Sequence, residues 1–506
     1  MPPPGQPIVI FRADASVAMG TGHVMRCIAL AQAWQDQNGE CVFAAAESTS
    51  ASEARLRDEK FEFVRITASP GTPQDAAQLV QLGIARHGSW IVVDGYQFDV
   101  EYQRAVKAAG LKLLVIDDAA HVGADAADLV LDQNAHADEN LYQHGEDDTR
   151  LLLGSRYALL RREFKVWREW DREIAPSGRK VLVTIGGSDP DNLTLIAIRA
   201  LHLLAADQPD ATVVVGGSNP YGDQIEGEIR NTGGSIRLLK DVFNMPELMA
   251  DADVAISGAG STCWEMCFLG LPAIVIDVAE NQRPIGQELD RRGIAIHLGS
   301  GVDITAEKIA DQLKTLLASQ GRRAAMSDRG RNLVDGRGAE RVVSAMTAGS
   351  VRLRRAQAED CELLLEWAND PEVRANSFSS EVISRERHRE WFGQKIADPN
   401  AVLYVVMAPN DCPIGQVRYD IDGLRALVSI SLGAGFRGKG FGGMCLSLAV
   451  DELFRSTKAS RIDAYVKPAN VSSLRMFLNA GFQRQEDTSF AGQPAVHLIL
   501  EKNRFS

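Results

Sequence analysis

The segment at residues 8–34 combines residue types that suit acid–base chemistry beside a bound anion. A short apolar run leads into Arg12 and Asp14, and a glycine-containing loop then ends at Gly22 and His23. Glycine lets the backbone approach a ligand closely, and the start of the helix predicted here offers unpaired N–H groups to a phosphate. Because histidine exchanges protons near neutral pH, we predict that His23 is a catalytic base. A histidine that caps the helix or belongs to the core is the alternative.

The elements that must position these residues form two successive lobes, which we place at residues 1–174 and 175–348, before a different unit at 349–506. Continuous apolar strands separated by helices predict an α/β fold with Rossmann-like parallel sheets in both lobes. We expect strands at residues 8–11, 41–45, 90–93, 113–116, 129–131, 180–185, 211–215, 254–256 and 273–276. The charged segment 157–173, between the lobes, is predicted to be helical.

Composition limits the classes of partner. At 506 residues the chain is long enough for about three domains. Its net charge of -13 argues against nucleic acid or an anionic membrane as the main partner. Seven scattered cysteines lack the spacing of a disulfide framework or a zinc site. Neither a signal peptide nor a membrane span is predicted, so we expect a cytoplasmic location.

The two lobes should enclose a cleft for a nucleotide-linked substrate, because ligands of open parallel sheets bind beyond the carboxyl ends of the strands. The strongest phosphate-binding pattern is SGAGST at 257–262, directly before a predicted helix, where glycines and hydroxyls suit a diphosphate. Glu265 could accept hydrogen bonds from ribose hydroxyls, although a glycine-rich turn with a capping serine is the alternative. The residues expected to bind the ligand are Arg12, Asp14, Gly22, Tyr96, Gly187, Gly260, Ser261, Glu265 and Asn281.

The last unit contains a second candidate phosphate site. A strand predicted at 426–432 runs into a basic, glycine-rich loop and then a helix, the context in which backbone N–H groups hold a pyrophosphate. A basic turn on the surface is the alternative. The residues expected to contribute are Leu432, Arg437, Gly438, Lys439, Gly440 and Gly442.

About the first 345 residues resemble the UDP-sugar hydrolases of pseudaminic acid biosynthesis, which share the glycosyltransferase-B architecture. The matching motifs, in order, are FRADAS, GTGHVMRC, VVDGY, LLGSRYALLRREF, VTIGGSDPDN and SGAGSTCWEMCFLGLP. The last motif and ENQ at 280–282 also resemble the glycosyltransferases that build lipid-linked peptidoglycan precursors. In the hydrolase family the histidine of the GxGHxMRC motif is the catalytic base, and that position here is His23.

Residues 351–506 resemble the Gcn5-related N-acetyltransferases. Their acetyl-CoA motif, Arg/Gln-x-x-Gly-x-Gly/Ala, matches residues 437–442, and Asn470 and Ser473 fit the family's second conserved segment. The chain departs from the family at Phe477, where many members have a tyrosine that protonates the leaving thiolate. The general base is not identified by the resemblance; His388, Glu390 and Asp420 are candidates.

The resemblances imply two consecutive reactions on one UDP-linked amino sugar. The last unit would acetylate the sugar amine with acetyl-CoA, and the two lobes would then release UDP by hydrolysis. No metal is expected, because a diphosphate leaves more readily than the alkoxide of a glycosidase substrate, so one base and an anion site suffice. A UDP-sugar glycosyltransferase fused to an acetyltransferase, or a UDP-sugar-binding module without catalysis, are the alternatives.

Overall fold

The computed structural model of the protein describes residues 8–16, 19–118, 126–142, 149–187, 189–204, 209–216, 219–230, 236–348, 351–408, 412–437, 441–486 and 488–502. The chain divides into two compact units, Met1–Val343 and Ser344–Ser506. Our placement of further domain boundaries at residues 174 and 348 stays a prediction.

The first lobe is a parallel sheet whose strand order reverses next to its first strand. Its strands are β1 (Ile8–Ala13), β2 (Glu40–Ala45), β3 (Glu62–Arg65), β4 (Gly88–Asp94), β5 (Lys112–Ile116), β6 (Leu129–Asp132) and β7 (Arg150–Leu153). Its helices are α1 (Gly22–Gln35), α2 (Ser50–Asp58), α3 (Pro73–Ala85) and α4 (Val100–Ala108). The strands pair in the order β3-β2-β1-β4-β5-β6-β7. The connection after β1 and the connection after β4 therefore run in opposite directions along the sheet. A crevice opens between them at the carboxyl ends of these two strands.

The second lobe repeats this topology. Its strands are β8 (Lys180–Thr184), β9 (Asp210–Val215), β10 (Ile236–Lys240), β11 (Val254–Gly258), β12 (Ala273–Asp277) and β13 (Ala295–Ser300). Its helices are α5 (Leu193–Leu203), α6 (Gly222–Arg230), α7 (Met245–Asp251), α8 (Thr262–Phe268), α9 (Arg283–Arg291), α10 (Ala306–Ala318), α11 (Gln320–Leu333) and α12 (Gly338–Ala348), which contains the boundary between the units. The parallel order β10-β9-β8-β11-β12-β13 places the reversal between β8 and β11. Gly187 follows β8, and the SGAGST segment begins at the end of β11.

The segment 157–173 is not the regular helix that its composition predicts. It forms 3₁₀ turns at Ser155–Tyr157 and Arg162–Trp167 and an irregular path between them and β8. Its arginines bond to distant partners: the Arg162 N–H donates to Gln32 Oε1 at 2.6 Å, and Arg172 donates to the Met249 carbonyl at 2.6 Å. These bonds to both lobes replace the hydrogen bonds of a helix, so tertiary contacts override the local preference.

The second unit is a mostly antiparallel sheet with helices on both faces. Its strands are β14 (Arg352–Arg355), β15 (Ala401–Ala408), β16 (Cys412–Asp422), β17 (Arg425–Leu432), β18 (Arg461–Val466), β19 (Gln483–Arg484), β20 (Thr488–Phe490) and β21 (Gln493–Glu501). Its helices are α13 (Cys361–Asn369), α14 (Pro371–Asn376), α15 (Arg385–Ala397), α16 (Phe441–Ser456) and α17 (Val471–Asn479). The strand order is β14-β15-β16-β17-β18-β21-β19, and β20 pairs with β21.

One parallel pair in this sheet is incomplete. Strands β17 and β18 pair from Arg425 and Arg461 as far as Leu427 and Asp463, and the pairing stops there. The rest of β17, up to Leu432, pairs only with β16, so a wedge opens between the two strands at their carboxyl ends. The predicted phosphate loop and α16 follow β17 directly beyond this wedge.

Candidate functional site

His23 lies in the first turn of α1 and is bonded to the last residue of a neighbouring strand. Its Nδ1 is 2.6 Å from Oδ1 of Asp94, which ends β4, and 11% of the His23 side chain is exposed. An ionised carboxylate can only accept hydrogen bonds, so Nδ1 donates and Nε2 carries the lone pair that can take a proton. This is the arrangement of a general base with a carboxylate that orients it.

Asp94 is held as an anion by an arginine that the sequence analysis did not single out. Arg26 donates from Nε to Oδ2 and from Nη2 to Oδ1 of Asp94, both at 2.6 Å. Burial opposes ionisation of Asp94, but Arg26 and His23 together lower its pKa to about 2. Asp94 therefore remains charged at neutral pH beside the His23 ring.

Tyr96 joins this cluster to the second lobe. Its hydroxyl donates to Oδ2 of Asp118 at 2.8 Å and accepts from Nδ2 of Asn281 at 2.6 Å. Burial and the Asp118 carboxylate raise the pKa of Tyr96, so the phenol stays protonated. Its ring stands edge-on to His23 with centroids 5.4 Å apart. The structure therefore brings His23, Tyr96 and Asn281 together where the two lobes meet.

Arg12 and Asp14 are buried at the carboxyl end of β1. Both side chains are fully buried, and Arg12 donates to Asp14 at 2.6 Å and to Asp75 at 2.9 and 3.0 Å. Asp14 also accepts from the backbone N–H groups of Ala46 and Glu47 at 2.8 and 3.0 Å. The pair fixes the loops at the carboxyl end of the sheet. Direct contact of either side chain with a ligand stays a prediction.

Glycine-rich loops from the two lobes approach each other at the same place. A Cβ atom at Gly187 would lie 3.0 Å from Oγ1 of Thr21, the residue directly before the predicted Gly22. In the second lobe a Cβ at Gly258 would lie 2.4 Å from the Ile185 carbonyl oxygen, so a side chain there requires a backbone shift. A Cβ at Gly260 would meet Gln282 Nε2 at 3.3 Å. Of these positions, Gly258 is the one where the close approach of backbone requires glycine.

Ser261 and Glu265 occupy the start of α8. Ser261 is the N-cap residue, and its side chain makes no capping hydrogen bond. Glu265 accepts from Nη2 of Arg161 at 2.8 Å. Burial raises the pKa of Glu265, and Arg161 partly offsets this effect. Arg161 comes from the irregular segment between the lobes and was not predicted. Binding of a ribose by Glu265 stays a prediction.

The second unit's predicted site begins where the wedge opens. The Leu432 carbonyl accepts from Arg437 Nε at 3.0 Å, and Arg437 Nη1 pairs with Asp370 and Glu372 at 2.8 and 3.0 Å. These bonds tie the loop after β17 to α14. The predicted residues Gly438, Lys439 and Gly440 lie outside the described residues.

Helices α16 and α17 approach closely beside this loop. A Cβ at Gly442 would lie 2.9 Å from Met476 Sδ, which explains a small residue in the first turn of α16. Asn470 caps α17 by accepting from the Ser473 N–H at 3.1 Å. Phe477 is buried and stands edge-on to Phe482 at 5.0 Å. Gly442 and Asn470 therefore lie at the N-terminal ends of α16 and α17, next to the wedge.

The described residues contain no group of three or more His, Cys, Asp or Glu side chains arranged to hold a metal ion. None of their helices has both the length and the apolar composition that a membrane crossing requires.

Comparison with known proteins finds family matches in the second lobe and in the last unit. Residues 181–340 match the glycosyltransferase family 28 C-terminal domain, and residues 350–483 match the acetyltransferase (GNAT) domain. The uncharacterised protein MJ1062 of Methanocaldococcus jannaschii is 23% identical over 497 residues, which cover 93% of this chain and 96% of that protein. The spore coat polysaccharide biosynthesis protein SpsG of Bacillus subtilis is 25% identical over 66% of this chain and 96% of its own.

A third relative is the UDP-2,4-diacetamido-2,4,6-trideoxy-beta-L-altropyranose hydrolase of Campylobacter jejuni. It is 24% identical over 57% of this chain and 98% of its own. The chain thus joins two Rossmann-like lobes, of which the second matches a glycosyltransferase domain, to a part that matches the GNAT acetyltransferase domain, and the predicted fold class is confirmed. The resemblance to the sugar-nucleotide hydrolase family is confirmed as well, and the acetyltransferase domain supports the prediction of an enzyme.

Proposed function

We propose that the protein is a bifunctional nucleotide-sugar enzyme of pseudaminic (nonulosonic) acid biosynthesis. The acetyltransferase domain transfers an acetyl group from acetyl-CoA to the amine of a UDP-4-amino sugar. The two lobes then hydrolyse the UDP-2,4-diacetamido-trideoxyhexose and release UDP. The observation that carries the hydrolase half is the pairing of His23 with an ionised Asp94 at the crevice of the first sheet.

In the hydrolytic step Nε2 of His23 removes a proton from water as the water oxygen attacks the anomeric carbon. The bond between that carbon and the diphosphate oxygen breaks, and the electron pair leaves with UDP. Asp94 stabilises the imidazolium, which returns its proton to solvent afterwards. Gly187, Gly260 and Ser261 would hold the diphosphate through backbone N–H groups and the free hydroxyl, without a metal ion. The Tyr96–Asn281 bond would keep the base of one lobe beside the ligand of the other.

In the acetyl-transfer step the loop at residues 437–442 would hold the pyrophosphate of CoA. Support comes from the GNAT match, the position of the loop between β17 and α16, and the wedge beside Leu432. Arg437 would keep the loop in place through its bonds to Asp370 and to the Leu432 carbonyl. Asn470 and Ser473 would line the far side of the cofactor at the start of α17. The Phe477 side chain has no acidic proton to donate, so the CoA thiolate must be protonated by another group or by water.

A glycosyltransferase activity is the competing proposal, because the second lobe matches a glycosyltransferase family. The two reactions differ in the nucleophile: hydrolysis needs only water, whereas sugar transfer needs an acceptor. A UDP-sugar-binding module without catalysis would release no UDP under either condition.

The test is to incubate the protein with the UDP-diacetamido sugar, without any acceptor, and to follow UDP release by ³¹P NMR. We expect UDP release by the wild type and a loss of about 10²–10⁴-fold in His23→Asn, because a positioned base contributes about that much. His87→Asn is the matched control, since His87 is exposed and has the positive φ of 51° that asparagine tolerates. Absence of UDP release by the wild type, or undiminished release by His23→Asn, would refute the hydrolase assignment.

A further inference from the structure

A histidine that the sequence analysis did not single out lies beside the wedge in the acetyltransferase domain. Along β21 the side chains of Val496, Leu498 and Leu500 belong to the core under α16 and α17. His497 therefore lies on the opposite face of the sheet, where 16% of its side chain is exposed. Its register partner is Tyr465 on β18, two residues beyond Asp463, where the pairing of β17 with β18 stops. His497 thus lies one strand beyond the wedge, opposite the β18 residue that borders the opening.

The hydrogen bond to Asp463 determines which nitrogen of the neutral His497 ring carries the proton. Nε2 of His497 is 2.7 Å from Oδ1 of Asp463, an atom that can only accept when the carboxyl is ionised. In the neutral ring Nε2 therefore carries the proton, and Nδ1, for which no hydrogen bond is present among the described residues, keeps a lone pair. Burial opposes ionisation of Asp463, but Arg425, Arg461 and His497 lower its pKa. The carboxylate thus stays charged and orients the ring.

Aromatic rings hold His497 in place. Tyr465 stacks on the His497 ring with centroids 4.6 Å apart, and Phe490 stacks on the other face of Tyr465 at 4.5 Å. Phe378, from the segment after α14, stands edge-on to Phe490 at 5.1 Å. This row of rings leaves His497 few alternative rotamers and excludes water from one side of it.

The three candidates from the sequence lack this combination of access and position. His388 is only 2% exposed, and burial lowers its pKa. It packs between Trp391 and Phe392 on α15. Asp420 is paired with Lys395 at 2.7 Å. Glu390 is exposed on α15, and no described contact holds it in one position.

We propose that His497 is the proton acceptor for the amine substrate of the acetyltransferase domain and that Asp463 is its positioning residue. The inference rests on the proposed function of this domain. The amine arrives as an ammonium ion and gives a proton to Nδ1 of His497. Its nitrogen then attacks the thioester carbon of acetyl-CoA, the C–N bond forms, and the C–S bond breaks. Of the two protons that the nitrogen loses, one passes through His497 to solvent and the other ends on the CoA thiol.

The charged groups near His497 come from three strands. Arg425 on β17 and Arg461 on β18 both donate to Asp463, at 3.2 and 2.7 Å, so they share the carboxylate with His497. On β21 itself Glu501 lies on the same face, at the closed end of the wedge. Strand β19 places Gln483 on this face and Arg484 on the other, as their partners Ile499 and Leu498 show. Strand β20 (Thr488–Phe490) carries no titratable side chain.

The experiment measures the pH profile of kcat for acetylation of a UDP-4-amino sugar, together with the dissociation constant of acetyl-CoA by calorimetry. In His497→Gln we expect kcat at neutral pH to fall by about 10²–10⁴-fold. Acetyl-CoA binding and the melting temperature should stay unchanged, because the glutamine can still bond to Asp463. The defect should shrink as pH rises, since the free amine then forms without a base. Imidazole should partly restore the rate of His497→Ala.

Glu501→Gln is the matched control, because it changes a charge on the same strand and face without contacting Asp463 or the wedge. It should keep the wild-type pH profile. An unchanged kcat in His497→Gln overturns the inference, and so does a loss of kcat that accompanies equal losses of acetyl-CoA binding and thermal stability. Failure of the wild type to bind acetyl-CoA, or to acetylate any UDP-4-amino sugar, refutes the proposed function itself, and the inference fails with it.

Discussion

Replacement of Asp94 by asparagine tests whether the carboxylate beside His23 contributes to proton transfer. The substitution keeps the shape of the side chain and removes the charge that Arg26 and His23 share. Asparagine can accept from His23 Nδ1 only through its carbonyl oxygen, and its amide group then points toward Arg26. Because two donors would face each other there, we expect the ring of His23 to lose its single orientation.

The size of the effect follows from the ionisation of Asp94. The fall of its pKa from the ordinary value of 3.8 to about 2 corresponds to about 2 kcal/mol in favour of the carboxylate, even after the cost of burial. If the Asp94 carboxylate stabilises the His23 imidazolium in the transition state by a similar free energy, its removal lowers kcat for UDP release by about 30-fold. The protein should also be less stable, since the depressed pKa contributes stability that is present above pH 4 and is lost as pH falls toward about 2.

The assay is kcat for acceptor-free UDP release as a function of pH, with the melting temperature measured on the same samples. Loss of the negative charge disfavours the protonated imidazole, so the acid limb of the profile should move to lower pH in Asp94→Asn. Asp75→Asn is the control, because Asp75 is equally buried and paired with an arginine but does not touch His23. It should lower the melting temperature and leave the acid limb in place. An acid limb that does not move in Asp94→Asn would refute our reasoning.

Two further predictions concern the residues that hold the ligands. Glu265→Ala should raise KM for the UDP-sugar more than it lowers kcat, the pattern of lost uniform binding, and an unchanged KM in steady-state kinetics would remove Glu265 from the site. Phe477→Ala should weaken acetyl-CoA binding and lower the melting temperature by the equivalent of about 3–5 kcal/mol, because it leaves a cavity against Phe482. Since Phe477 donates no proton, the pH profile of acetyl transfer should keep its shape, and a changed profile would contradict this assignment.

Much of the architecture follows from local sequence patterns. The predicted strands of both lobes are present, because apolar runs flanked by glycine and polar residues leave little choice of secondary structure. Strands β3, β7, β10 and β13 were not predicted. All four are edge strands with partly exposed residues, so their apolar pattern is weak. The segment 157–173 has a helical composition, but its arginines find partners in both lobes, and no local pattern encodes such partners.

Local patterns along the chain are enough to predict that a histidine follows a glycine at a helix start and that a basic, glycine-rich loop follows a strand. The groups that these residues meet depend on how the strands pair in the folded protein. Asp94 lies 71 residues from His23, and it becomes the partner because β1 pairs with β4 in the register that sets Ala13 opposite Asp94. In the same way, His497 meets Asp463 because β21 pairs with β18. The register of a sheet depends on which face of each whole strand is buried. The spacing of two polar residues along the chain therefore does not predict the register.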